Sequence, residues 1–219
     1  MGSITRGLSN NITTGGVILP AGITNSSVSA VTSFANVAAA GTLTLLSTQT
    51  ASNSATISFT TGLDSTYDEY EFKFIDIHPR TDSADFQFNM STDAGSNYNV
   101  TKTTSAFRAA HDEADTSTSL SYQTSYDLAQ STAYQSLMVA LGNGADESGA
   151  GFLQLFNPSS TTYVKHFISR SANYYSGNEI LDFYFVGYGN TTSAVNAIRF
   201  QMSSGNFDGT IKLYGVKKS

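Results

Sequence analysis

Cysteine is absent from this 219-residue sequence, tryptophan is absent too, and proline occurs three times. Without a thiol there is no disulfide, no thiolate metal site and no cysteine nucleophile. The absence fits synthesis in a reducing cytoplasm. Charge is scarce as well. Charged residues make up 13% of the chain, about half the usual ~25%. Eleven basic residues against 17 acidic ones leave a net charge of −6. That balance lacks the basic footprint of a nucleic-acid binder. No apolar run approaches the ~18 residues that span a bilayer. The opening "MGSITRGLSN" has no apolar stretch of the kind that marks a signal peptide. The expectation is a protein made in a cytoplasm, with no membrane insertion.

What is present is hydroxyl, amide and ring. There are 31 serines and 27 threonines, with 12 tyrosines and 14 phenylalanines. Thr, Tyr and Phe all favour strands. The sequence therefore predicts an all-β protein made soluble by neutral polar groups rather than by ions.

Charge also divides the chain. Residues 1–63 hold one charged side chain, Arg6, whereas residues 64–93 hold eight acids. The first 40 residues mix Gly, Asn and Thr with scattered apolar residues, including Ile4, Leu8, Val17, Ile18 and Leu19. A free disordered tail normally combines high charge with low hydrophobicity. This segment has the reverse pattern, so it reads as an extended docking arm over 1–40, followed by a β-domain over 41–219. Ile4, Arg6, Leu8, Val17, Ile18 and Leu19 are the candidate docking residues. Val31, Phe34 and Val37 are spaced at three, so a short helical piece is expected there.

From about residue 43 the signals are strands and turns. "LTLLSTQ" and "ATISFT" are short runs separated by "TASNS". "YDEYEFKFIDIHP", "ADFQFNMS" and "YNVTKTTSAF" follow, joined by short turns, and read as a meander. "AQSTAYQSLMVALG" fits a strand better than a helix, with Leu137, Val139 and Leu141 on one face. "AIRFQMS" and "TIKLYGV" alternate cleanly on either side of "SGNFDG" and read as a closing hairpin. "ILDFYFVGYG" is apolar on both faces, so a second layer or a second subunit should cover Tyr184, Val186 and Tyr188. About ten strands at such spacing predict an antiparallel β-sandwich of jelly-roll type.

Candidate chemistry is thin. "HDEAD" brings His111, Asp112, Glu113 and Asp115 together in sequence. Adjacent residues of an extended chain point to opposite faces, so a solvated loop is expected rather than a cation site. "GNGADESGAG" at 142–151 has glycines but no lysine and no following helix, so it reads as a flexible loop and not a phosphate cradle. No "GxSxG" occurs, and nothing selects a pair of carboxylates for glycoside cleavage. His166 reads as a packed or edge histidine beside Val164 and Ile168. "STDAGSNY" at 91–98 is one imperfect Asp-box, S-x-D-x-G, and predicts a hairpin turn. Tyr174 and Tyr175, in the polar stretch "SANYYSGNE", are the candidate platform for a sugar ring. The expectation is a protein with no catalytic residue, no metal and no cofactor.

Four stretches carry a resemblance. They are "LTLLSTQTASNSATISFTTGLDSTYDEYEFKFIDIHP", "STDAGSNYNV", "LFNPSSTTYVKHF" and "SSGNFDGTIKLYGVK". They look like a group of proteins encoded by tailed phages, marine ones especially, that are described as tail-fibre or virion structural proteins. The resemblance covers most of the chain and implies a place on the virion rather than a reaction. It implies capsid or tail proteins as partners, and a homo-oligomer (a trimer in the case of a fibre). A host surface glycan is the alternative partner.

One stretch sets a local question. In "YDEYEFKFIDIHP", residues 67–79, Tyr70, Phe72 and Phe74 alternate with Glu71 and Lys73, but Ile75 and Ile77 then take the wet side. Either a bulge lies near 74–75 or both faces become buried. A bulge there would turn Ile75 and Ile77 inward and leave Asp76 and His78 wet.

Overall fold

The computed structural model describes residues 43–216, together with the backbone of residues 12–13 and 16–17. By internal contact the chain divides into Met1–Ala40 and Gly41–Ser219. In the first unit, β1 (Ile12–Thr13) pairs antiparallel with β2 (Gly16–Val17). Val17 therefore lies in a short ladder. Ile4, Arg6, Leu8, Ile18 and Leu19, and the helical piece expected at 31–37, lie outside the described residues.

The second unit is all strand and turn among its described residues. Its strands are β3 (Leu43–Ser54), β4 (Thr56–Phe59), β5 (Glu69–Pro79), β6 (Ala84–Ser91), β7 (Lys102–Asp112), β8 (Thr118–Tyr122), β9 (Gln135–Leu141), β10 (Gly149–Phe156), β11 (Lys165–Tyr175), β12 (Glu179–Gly189), β13 (Ala197–Met202) and β14 (Phe207–Val216). All their pairings are antiparallel.

The topology is that of a rolled ribbon. Going forward, β3, β4, β5 and β6 pair with β14, β13, β10 and β9 in that order. Two long antiparallel arms are thus laid together and wrapped. Further pairing of β14 with β5 and of β13 with β6 closes the roll. This is an eight-stranded jelly roll with sheets β3-β14-β5-β10 and β4-β13-β6-β9. Two hairpins are inserted in it, β7–β8 and β11–β12. They extend the first sheet to β3-β14-β5-β10-β11-β12-β7-β8. The large and small sheets are joined along one side by a single pair, Tyr175↔Leu141.

Inward rings fill the space between the layers. Phe72 and Phe74 of β5 meet Phe200 of β13 at 5.3 Å each, and Phe88 of β6 meets Phe167 of β11 at 5.1 Å. Ile198, Phe200 and Met202, and Ile211 and Leu213, are buried as their alternation predicts. A smaller cluster (Ala106, Val139, Leu181, Phe183 and Phe185) sits under the inserted strands. The residue 123–134 segment returns along this region. Its Tyr126 ring meets Phe183 at 6.0 Å, and Leu128 donates its backbone N–H to Thr104 Oγ1 at 2.8 Å.

Several local expectations need correction. β5, β6 and β7 do not form a meander, because none of them pairs with another. β13 and β14 do not form a hairpin, because β13 lies in the small sheet and β14 in the large one. A turn signal shows where the chain reverses and does not say which layer it enters next. The "TASNS" stretch continues β3, and Gly149–Gly151 open β10 rather than ending a flexible loop. Gly151 is needed there because a Cβ would come within 2.5 Å of the Arg170 carbonyl. In β9 both faces are covered: Leu137, Met138, Val139 and Leu141 are all buried. His166 is not on an edge: it stands exposed on the outer side of the interior strand β11, its ring 6.1 Å from that of Tyr188.

The 91–98 stretch forms a turn without a hairpin. Ser91 Oγ donates to Asp93 Oδ1 at 2.7 Å, and Asn97 donates its backbone N–H to the same oxygen at 2.8 Å. These donors, the Ser91 hydroxyl first, hold the Asp93 carboxyl down at about 2.

In β5 the bulge lies at Asp76, which has a φ of +51°. Tyr70, Phe72 and Phe74 face inward, and the register against β10 slips between Phe74 and Ile77. Only half of the expected flip occurs. Ile77 turns in and is fully buried, whereas Ile75 stays outside at 38% exposed. Asp76 is exposed, and the Nδ1–H of His78 donates to the Glu147 carbonyl at 2.7 Å. The acids of this stretch therefore do not converge on a site.

One buried cation makes stability pH-dependent. Lys102 is fully buried, and its Nζ donates to Asn89 Oδ1 at 2.6 Å and Val100 O at 2.8 Å, both uncharged acceptors. Burial lowers its pKa from 10.5 to about 7. Below pH 7 both folded and unfolded chains hold the proton, and the folded state carries the whole cost of burying it. Above pH 7 the unfolded chain binds more protons than the folded one, so stability rises with pH towards 10.5. Urea unfolding of the wild type and Lys102→Met at about pH 6 and about pH 9 measures this. The wild type should gain stability relative to the variant at the higher pH, and an unchanged difference would refute the assignment.

Candidate interaction face

The outer side of the eight-stranded sheet gathers the exposed apolar side chains. Among the described residues ten large hydrophobics are exposed, and nine belong to this sheet: Leu43, Leu45, Ile75, Phe107, Leu120, Tyr122, Ile168, Ile180 and Val186. Pairing registers place all nine on the outward side. The tenth, Tyr163, lies in the β10–β11 loop. Exposed apolar side chains gathered on one side of a folded domain's sheet mark an interaction surface. The small sheet differs. Its outward side is polar, with Thr56, Ser58, Asp85, Gln87, Arg199 and Gln201.

Register makes the face continuous. One row runs Tyr122–Phe107–Tyr184–Arg170–Phe152–Lys73–Lys212 across seven strands. The next runs Ser105–Val186–Ile168–Gln154–Glu71–Tyr214–Leu45. Tyr184, Val186 and Tyr188 therefore do stand together at the centre, on the side of β12 opposite Leu181, Phe183 and Phe185.

The centre of the face is a ridge. The Phe107 and Tyr184 rings stack at 4.7 Å and 6°. The Arg170 guanidinium lies 4.8 Å from the Tyr184 ring and makes a two-point ion pair with Asp182, at 3.0 and 2.8 Å. That carboxylate, before the ring, raises the Arg170 pKa. On each side of the ridge lies a shallow groove. One is lined by Ala150, Phe152, Ala172 and Ile180, and the other by Phe156, Ile168, Val186 and Tyr188 over Gly187.

In the middle of this face charge balances. Lys73, Arg170 and Lys212 stand with Glu69, Glu71 and Asp182. Lys73 pairs with Glu71 at 3.2 Å. Burial, and then the neighbouring Glu71, raises the Glu69 pKa.

The other candidates separate. Tyr174 and Tyr175 end β11 rather than lying in a loop, and they point to opposite sides. Tyr175 packs on the smaller core cluster, while the Tyr174 hydroxyl lies 3.0 Å from Glu113 Oε1 and 3.2 Å from Asn178 Oδ1. They do not form a shared sugar platform. His111 Nε2 meets Asp115 Oδ1 at 3.1 Å. Asp112 instead accepts from the Thr116 and Ser117 backbone N–H groups, at 2.9 and 2.8 Å, which organise the β7–β8 turn. Among the described residues no group of three or more His, Asp and Glu side chains is placed to hold a metal ion.

Sequence reading singled out Tyr184, Val186 and Tyr188, and Ile75 as apolar on the wet side of its strand, but not Phe107, Ile168, Leu120 or Leu45. The signal was present in "KHFISR" and "SAFRAAH", where apolar residues occupy both parities. No family model, curated protein or solved structure matches the chain.

Proposed function

We propose that this chain is a structural subunit of a bacteriophage virion, made in the bacterial host cytoplasm. It is displayed on the particle as a tail-fibre, tail-associated or head-decoration subunit, and residues 1–40 dock it to other virion proteins of the capsid or tail. The carrying observation is the jelly-roll scaffold, an architecture that serves viral capsid and lectin domains. The hydroxyl-rich, low-charge composition and the resemblance to tailed-phage proteins support the same reading. Fold alone is an argument by analogy, so the reading depends on a particle experiment.

Deleting residues 2–35 should leave the β-domain folded, with its melting transition retained, and remove the protein from purified particles. Incorporation of the truncated chain at wild-type level would overturn the docking role. Copy number then separates the placements: hundreds per particle indicate head decoration, and a few indicate a tail fibre. A host-glycan receptor module remains the second reading of the same scaffold. It would need a platform other than the divided Tyr174–Tyr175 pair.

A further inference from the structure

The geometry points to the outer face of the eight-stranded sheet as the surface on which a second copy of this chain docks, with Tyr184, Val186 and Ile168 at its centre. This inference stands on the face itself and holds whether or not the chain belongs to a virion.

Three observations favour a second copy over another occupant. The first is charge. The chain carries −6 overall, yet the middle of this face carries three cations and three carboxylates and is neutral, with Asp127 and Glu113 standing only at its edges beside Tyr122 and Tyr174. The net negative charge therefore lies elsewhere. Two copies repel through those other surfaces and meet without repulsion here.

The second is shape. The Phe107–Tyr184 ridge stands beside a groove floored by the small residues Ala150 and Ala172 on one side and a groove between Ile168, Val186 and Tyr188 on the other. A self-complementary interface needs a projection and a recess on the same patch, so that a two-fold rotation seats each in the other.

The third is area. Eight strands at ~4.8 Å spacing, averaging about ten residues at ~3.3 Å each, cover roughly 1,200 Å². That is enough to supply the ~800 Å² that one partner contributes to a stable protein interface. The aromatic and aliphatic side chains at the centre, with ionic pairs toward β5 and β14, also follow the anatomy of such interfaces.

Sedimentation velocity of the full chain across the micromolar range tests this. The wild type should sediment as a dimer or small closed oligomer. Val186→Glu and Ile168→Glu, at exposed and directly cross-paired positions, should each weaken association by ~100-fold or more, since a desolvated unpaired charge is costly. Both should keep the wild-type circular dichroism spectrum. Tyr163→Ser, off the face, should leave the mass unchanged. If either glutamate variant misfolds, Val186→Ser and Ile168→Ser serve the same purpose with a smaller change. A monomeric wild type overturns the inference, as does a folded face variant that keeps the wild-type mass. Oligomerisation that appears only after residues 2–35 are removed would show that the arm occupies the face, and would also overturn it.

Discussion

Phe200→Ala should lower the unfolding free energy by about 3–5 kcal/mol, the range for truncating a fully buried aromatic residue. The position warrants the upper part of that range. The Phe200 ring is fully buried and lies within 6.4 Å of five others: Phe59, Phe72, Phe74, Phe86 and Phe88. Those rings come from β4, β5 and β6, so they belong to both layers. Removing Phe200 opens a cavity where the two sheets meet, and rings held from both sides have little freedom to collapse into it. Thermal unfolding should show a fall in melting temperature of roughly 10 °C for a domain of this size. A loss below about 1 kcal/mol would mean that the layers are not held together at this point. Val186→Glu, on the outer face, should barely change the melting of the isolated fold, so the two variants separate core from interface.

Gly209→Ala should cost about 2–5 kcal/mol, from backbone strain together with overpacking. Gly209 has a φ of +135°, a conformation that L side chains rarely adopt, and its Cβ would lie 2.7 Å from the Asp76 carbonyl and 2.9 Å from Ile77 Cδ1. The glycine therefore sits against the β5 bulge, where the β14–β5 register also shifts, between Asp208 and Thr210. Beside it Asp208 joins the two strands' ends. It accepts from Arg80 Nη2 at 2.9 Å and from the Asn53 backbone N–H at 2.8 Å, and the Arg80 hydrogen bond, ahead of smaller causes, lowers the Asp208 pKa. A methyl group at 209 must either displace the bulge or separate β14 from β5. The reverse change at the bulge has the opposite sign. Asp76→Gly relieves a non-glycine residue at φ +51° and should be neutral or stabilising, by up to ~1 kcal/mol. Urea midpoints for both variants measure the pair. Equal destabilisation by both would refute the bulge as the locus of strain.

The legible and illegible parts of this protein divide along a physical line. Alternation is a local property, since each residue turns the next side chain to the other face. Tyr70, Phe72 and Phe74, then Ile198, Phe200 and Met202, then Ile211 and Leu213, could be assigned inward from sequence, and all are buried. The all-β class, the jelly-roll type and the absence of a converged acid cluster in 67–79 followed from the same rule and from composition. Pairing is not local. β13 and β14 are joined by the short "SGNFDG" connection, yet each lies in a different sheet, because the chain rolls as a double ribbon and its partners come from the other arm. Nor did alternation give a sign where both parities are apolar. In β12 the sequence allowed either Phe183 and Phe185 or Tyr184 and Val186 to face the core. Only packing against Val139 of β9 and Ala106 of β7 decided for the phenylalanines. That choice left Tyr184 and Val186 outside, aligned by register with Phe107 and Ile168. The sequence alone thus determined that these strands have two faces and that some faces are apolar. The tertiary structure decided which apolar face is covered and which one stands open, because burial depends on what lies across the sheet and not on the order of residues along it.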